Sequence, residues 1–169
     1  MYSISFAVTN WIDLFIRDEY KQELIKSWQH CMEHKGLQIY GWVIMTSHVH
    51  MIIGTNGKKL DEIVGEMKSY TSTRFKILLS EYPQESRKEW IMWMMRRAGI
   101  KNSNNTDWQF WQQHNKPIEI KEQEMFDKVL QYIHDNPVVA GFVDKAEDWK
   151  YGSARDFCGV NGLINLSFS

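Results

Sequence analysis

Two apolar runs in the first third of the chain, Leu37 to Met45 (LQIYGWVIM) and His48 to Ile53 (HVHMII), are separated only by Thr46-Ser47. Both are rich in β-branched and aromatic residues and read as strands, joined by a hairpin or continuous through a bend. Ser3 to Thr9 (SISFAVT) has the same character and reads as an earlier strand. Between them Leu24, Ile25, Trp28, Cys31 and Met32 recur at helical spacing, which predicts a helix from about Asp18 to Lys35 that Gly36 ends.

Past the Gly54 to Gly57 loop, Leu60, Ile63, Val64, Met67, Phe75, Leu78 and Leu79 predict a long helix from about Leu60 to Tyr82, stopped near Pro83. Ser86 to Gly99 reads as a third helix. Its Trp90, Met92, Trp93, Met94 and Met95 suggest packing, with a dimer contact as the other reading. Lys101 to Asp107 is loop-like, and Trp108 to Trp111 reads as a short aromatic strand or turn. A last helix is predicted over Lys121 to Asp135, closed by Asn136-Pro137. The order strand, helix, strand, strand, helix fits an α+β fold, an antiparallel sheet covered by helices. No Pro/Gly/Ser-rich linker divides the 169 residues, so residues 1–169 read as one domain.

Composition excludes several functions. With 43% apolar and 24% charged residues, the chain can bury a core and does not read as disordered. A formal charge of −1 argues against coating nucleic acid by bulk charge and against a polybasic membrane anchor. The average hides a polarity, however. Residues 58–101 carry ten Lys/Arg against six Asp/Glu, and residues 102–169 carry six against ten. Cys31 and Cys158 are far apart with no metal or disulfide-scaffold spacing, and read as two reduced, mostly buried thiols. No run approaches the ~18 apolar residues of a membrane span and no signal pattern is evident, so a cytoplasmic protein without a membrane partner is expected.

His48-Val49-His50 is the sharpest local feature. On a strand, residues i and i+2 share a face, about 6–7 Å apart at Cα, so two imidazoles there can grip a divalent cation. The same pair also fits two histidines on a half-exposed strand, and spacing alone leaves both readings open. Further on, Tyr132 and Asn136 lie four apart in a helical segment and share a face. A phenol and an amide one turn apart can set a nucleophile beside a metal ligand. They can equally be a packed ring and a helix cap. A protonated phenol is a weak nucleophile, so the first reading requires a cation or a base beside it.

In this order, VIMTSHVHMII around His48 and His50 followed by YIHDNPVVAGFV from Tyr132 to Val143, the chain resembles the HUH-type single-tyrosine transposases. These are the REP-associated tyrosine transposases and their insertion-sequence relatives. The resemblance runs from SISFAVTNWIDLF through Phe110-Trp111 and Pro117-Ile118-Glu119 to WKYGSARD, which ends at Asp156. It implies a ferredoxin-like α+β domain whose C-terminal helix carries the catalytic tyrosine. The implied activity is cleavage and rejoining of single-stranded DNA beside a hairpin, through a 5′-phosphotyrosine and a free 3′-OH. It further implies His48, His50 and Asn136 as ligands of Mg²⁺ or Mn²⁺, Tyr132 as nucleophile, and hairpin-bearing single-stranded DNA as partner. A homodimer, with Tyr132 working on either copy's histidines, is left open.

This chain departs from many relatives at Thr46-Ser47, where they carry Pro-Asn, and at Val139, where they carry Arg. With little bulk charge, DNA binding is expected to lean on Lys68, Arg74, Arg96 and Arg97 of the basic middle, with Trp108 and His114 beside them. The rival readings are a replication-initiator nickase of the same chemistry, a domesticated hairpin binder that does not cut, and a plain metal-binding domain.

Overall fold

The structure is a computed structural model and describes residues 1–102, 107–115 and 117–167. In chain order its principal elements are β1 (Tyr2–Ala7), α1 (Asp18–Lys35), β2 (Leu37–Ile44), β3 (His48–Thr55), α2 (Leu60–Glu81), α3 (Lys88–Ile100), β4 (Ile118–Glu119), α4 (Gln123–Val139) and α5 (Ala154–Phe157). Thr46-Ser47 does turn a hairpin: Met45 N–H donates to the His48 carbonyl, and β2 pairs antiparallel with β3. The four strands stand in the order β2-β3-β1-β4, all neighbours antiparallel. That order, with α1 and α2 as crossovers, is the ferredoxin-like arrangement.

Alternation along the strands separates two faces. Ile4, Phe6 and Val8 of β1 and its end, Val49, Met51 and Ile53 of β3, and Trp42 and Ile44 of β2 are buried in one core with residues of α1 and α2. Ile39 and Trp42, three residues apart, both enter this core, because a bulge between Ile39 and Gly41 resets the alternation of β2. Gly36 ends α1 in the left-handed conformation (φ 78°), where a Cβ would collide with the backbone of Gly57. On the opposite face α4 lies over β2 and β3, packing Ile133, Val129 and Leu130 against Val43, Met45 and Ile52. Gly41 makes room for it, since a Cβ there would meet Leu130 Cδ1 at 2.5 Å.

Irregular chain extends the sheet beside β1, beyond the short β4, and along β2. Residues 110–115 run along β1: Thr9 N–H donates to the Phe110 carbonyl, Gln112 N–H to Ala7 and Ser5 N–H to Asn115. Along β2, Ile44 N–H donates to the Tyr151 carbonyl and Ser153 N–H to Trp42, so the Trp149–Ser153 tail motif docks as a partial fifth strand. No described helix is long and apolar enough to cross a membrane.

Three expectations change. Pro137 does not close the last helix; α4 continues through it to Val139, and Gly141 (φ 74°) follows the end. Pro137 and Ile133, one turn apart, are both buried, and that burial offsets the hydrogen bond the proline cannot donate. On α3 the buried stripe is only Ile91, Met95 and Gly99, while Trp90 and Trp93 are about half exposed. Of the two thiols, Cys31 is buried but Cys158, just past α5, is exposed. The central residues of the expected 101–107 loop lie outside the described residues.

Candidate active site

On β3, Val49 and Met51 turn into the sealed core, so His48 and His50 must face the other way, toward the side that α4 half covers. Their rings are 4.9 Å apart between centroids and nearly perpendicular. The cross-strand partners on β1 are small, Ala7 opposite His48 and Ser5 opposite His50. They line the side of the imidazoles away from α4, while Val43 stands opposite His50 on β2.

Helix α4 brings Tyr132 to this pair. Ile133 packs against the sheet and Pro137 is buried as well, which leaves the preceding residue of each, Tyr132 and Asn136, at the helix margin. The Tyr132 ring meets the His50 ring edge-on at 5.3 Å, yet 58% of the tyrosine is exposed. Asn136 Nδ2 donates to the Tyr132 carbonyl at 2.6 Å. The amide's donor is thereby engaged with the helix, and its carbonyl oxygen is the atom left to accept or coordinate.

Burial lowers the proton affinity of both imidazoles. For His50 the value falls to about 4, from desolvation first and the neighbouring His48 second. His48 is lowered by desolvation, partly countered by Asp13. Ser47 Oγ lies 3.2 Å from His48 Nδ1, and Thr46 Oγ1 donates to Asp13 Oδ1 at 2.6 Å. The Thr46-Ser47 turn thus orients the first histidine and anchors the loop behind it. Neutral imidazoles are the ligating form, so the pair suits a divalent cation at neutral pH. Among the described residues no group of three or more His, Cys, Asp or Glu forms such a centre. Asn136, one helical turn from Tyr132, presents an amide oxygen of a kind that can coordinate a cation.

The other candidates divide. Arg97 and His114 line one open groove with Lys101, and Arg96 is exposed on the same helix as Arg97. Lys68 is half-buried: its Nζ donates to the Gln112 carbonyl and Asn115 Oδ1, and desolvation lowers its pKa to about 8. Arg74 donates to Glu23 Oε1 at 2.8 Å. Trp108 packs against the core under Lys76. These three side chains are engaged within the protein. His134 approaches Ser153 Oγ at 2.9 Å and joins the network that fixes the tail to β2.

One residue beside the site had no sequence signal beyond a turn-forming Asn10 before it. Trp11 is 58% exposed and meets the His48 ring edge-on at 5.3 Å.

Comparisons with known proteins bear on the family and the fold. A family model described as IS200-like transposase matches residues 2–136, a span that includes His48, His50, Tyr132 and Asn136. Among solved structures, a REP-associated tyrosine transposase bound to a REP hairpin superposes with a TM-score of 0.65 at 16% identity, covering 99% of this chain and 85% of that one. No curated protein matches the chain.

Proposed function

This chain belongs to the IS200-like transposase family, and from that premise we propose that it cleaves and rejoins single-stranded DNA beside a hairpin through Tyr132. The observation that carries the proposal is the 5.3 Å contact between the Tyr132 ring on α4 and the His50 ring on β3, within one chain. The hairpin in the neighbouring structure supports the choice of partner.

In the proposed reaction the Tyr132 phenol oxygen attacks a backbone phosphorus as its proton leaves. The P–O3′ bond breaks, the 3′ oxygen takes up a proton, and a 5′-phosphotyrosine remains. Attack by another 3′-OH reverses these changes and rejoins DNA without an external energy source, because one phosphodiester is exchanged for another. His48, His50 and Asn136 would hold Mg²⁺ or Mn²⁺, which, when bound, polarises the scissile phosphate and stabilises the charge developing on it. Mixed imidazole and amide ligands are softer than the oxygen sets usual for Mg²⁺, so Mn²⁺ should serve well.

The fold's own contribution is position. Burial keeps both imidazoles neutral, the edge contact with His50 sets the tyrosine ring, and exposure of Tyr132 leaves its oxygen open to a DNA backbone. The contact of Tyr132 with His50 of its own chain supports the reading in which the tyrosine works on its own copy's histidines.

The test is incubation with Mn²⁺ and labelled oligonucleotides carrying a hairpin flanked by single strands. The expected product is an SDS-resistant protein–DNA adduct in the native chain and none in Tyr132→Phe. An adduct that survives Tyr132→Phe removes this residue as nucleophile. Hairpin binding with no adduct under any condition favours the non-cutting binder.

A further inference from the structure

A second pair of imidazoles, His30 and His34, lies near the C-terminal end of α1, across the sheet from His48 and His50. We propose that this pair is a surface site for a late first-row divalent cation, Zn²⁺, Ni²⁺ or Cu²⁺, with water completing the coordination. It is separate from the pair on β3 and takes a different class of ion.

Geometry carries the proposal. Residues four apart on a helix lie one above the other on the same face. The His30 and His34 ring centres are 4.6 Å apart. Two imidazoles sharing one ion at about 2.1 Å, with ligand angles of about 90–109°, have ring centres roughly 4.6–5.3 Å apart. The β3 pair, at 4.9 Å, falls in the same window. Both pairs therefore stand at a ligating separation without any movement of the backbone.

The platform is rigid. Leu24, Ile25, Trp28 and Cys31 bury the inner face of α1, which fixes the outer face that carries the two histidines. Once the first imidazole binds, the second is already in place, and the chelate gains affinity from that proximity.

Packing does not explain the pair. Both residues are exposed, the His34 side chain by 60%, so neither ring contributes to the core. The helix dipole favours one cation in the last turn, where His34 and Lys35 lie, but not an imidazole one turn earlier. The same exposure leaves coordination positions open to water.

The surrounding charges are nearly balanced. Glu33 Oε2 lies 3.7 Å from His34 Nε2 and adds negative charge to the patch. Lys35 is engaged by Glu66 at 2.6 Å. Exposed Lys26, one turn before His30, opposes a cation, which sets the affinity below that of a closed four-ligand centre. Imidazole nitrogens favour Cu²⁺, Ni²⁺ and Zn²⁺ over Mn²⁺, and Mg²⁺ prefers oxygen. An ion held here staples the end of α1 just before Gly36 leads into β2, and binding the folded chain alone it raises stability.

The experiment titrates Zn²⁺ into the untagged, metal-free full chain by calorimetry. His30→Ala and His34→Ala should each weaken one binding event by about tenfold or more, the loss of the chelate. Both should also lose a Zn²⁺-dependent rise in the unfolding midpoint. In a His48→Ala, His50→Ala background that event should persist. There, Cu²⁺ should give an electron paramagnetic resonance spectrum with coupling to two imidazole nitrogens, reduced to one when His34→Ala is added.

Unchanged Zn²⁺ affinity and stoichiometry in both single variants overturns the site, as does a two-nitrogen signal that survives His34→Ala. With Mn²⁺, adduct formation by His30→Ala and His34→Ala should match that of the native chain. A loss there would tie the pair to the β3 histidines and contradict a separate site. Because the binding readout needs neither DNA nor Tyr132, failure of cutting leaves it intact, and its own failure leaves the cutting chemistry untouched.

Discussion

The two faces of the sheet share the same strands but not the same task. On one, Phe6, Val8, Val49, Met51 and Trp42 are sealed beneath α1 and α2, each at most 2% exposed. On the other, α4 covers β2 and β3, while beside His48 and His50 β1 offers only Ser5 and Ala7. Strand β3 serves both at once: its odd-numbered residues from Val49 to Ile53 hold the fold, and its His48 and His50 belong to the proposed site. A period of two therefore lets one strand anchor two imidazoles rigidly without giving up its core contacts. The small residues on β1 are as much a part of this division as the large ones behind them.

Substitutions on β3 break the comparison most sharply. His48→Ala or His50→Ala should lower adduct formation on the order of 10³-fold or more while leaving the unfolding transition close to that of the native chain. Equal loss of stability and activity in both variants would mean that the histidines are structural. One residue further along the strand, Met51→Ala should do the reverse. It should cost about 2–5 kcal/mol in denaturant unfolding, with adduct formed per folded molecule unchanged.

A smaller effect sharpens the contrast through pH. His50 and His134 have folded values of about 4 because burial disfavours their charge, against a reference value of 6.5. Between these values the unfolded chain binds more protons than the folded one, so stability rises with pH across the window and is lost as pH falls from 6.5 toward 4. Each histidine contributes at most about 1.4 kcal/mol per pH unit. In metal-free protein, His134→Gln should flatten the slope measured between pH 4 and 6.5. An unchanged slope would show that burial does not govern the titration of His134.

Much of this was legible in the chain itself, for reasons of periodicity. The alternation around His48 and His50 defined a strand with a chemical face, and the 3.6-residue stripes of α1 and α2 gave helices within a residue or two of those found. Tyr132 and Asn136, four apart, announced a shared helix margin. What escaped depended on contacts distant in sequence. Pro137 reads locally as a stop, and only burial together with Ile133 carries the helix through it. Trp90 and Trp93 look like core by composition, but α3 has a single buried stripe and they are not on it. The engagement of Lys68 and Arg74 arises from residues 112–115 and from Glu23 respectively, which no local pattern discloses. The left-handed Trp11 has only its neighbour Asn10 as a hint.

The central claim is that the solvent-exposed phenol beside the imidazole pair is the atom that joins DNA. The most direct measurement is mass mapping of a trapped adduct after nuclease and trypsin digestion. Cleavage after Lys128 and Lys145 releases residues 129–145, in which Tyr132 is the one tyrosine. The account predicts a nucleotide mass on that peptide, fragmenting to Tyr132. A nucleotide on any other residue, with Tyr132 unmodified, would contradict it.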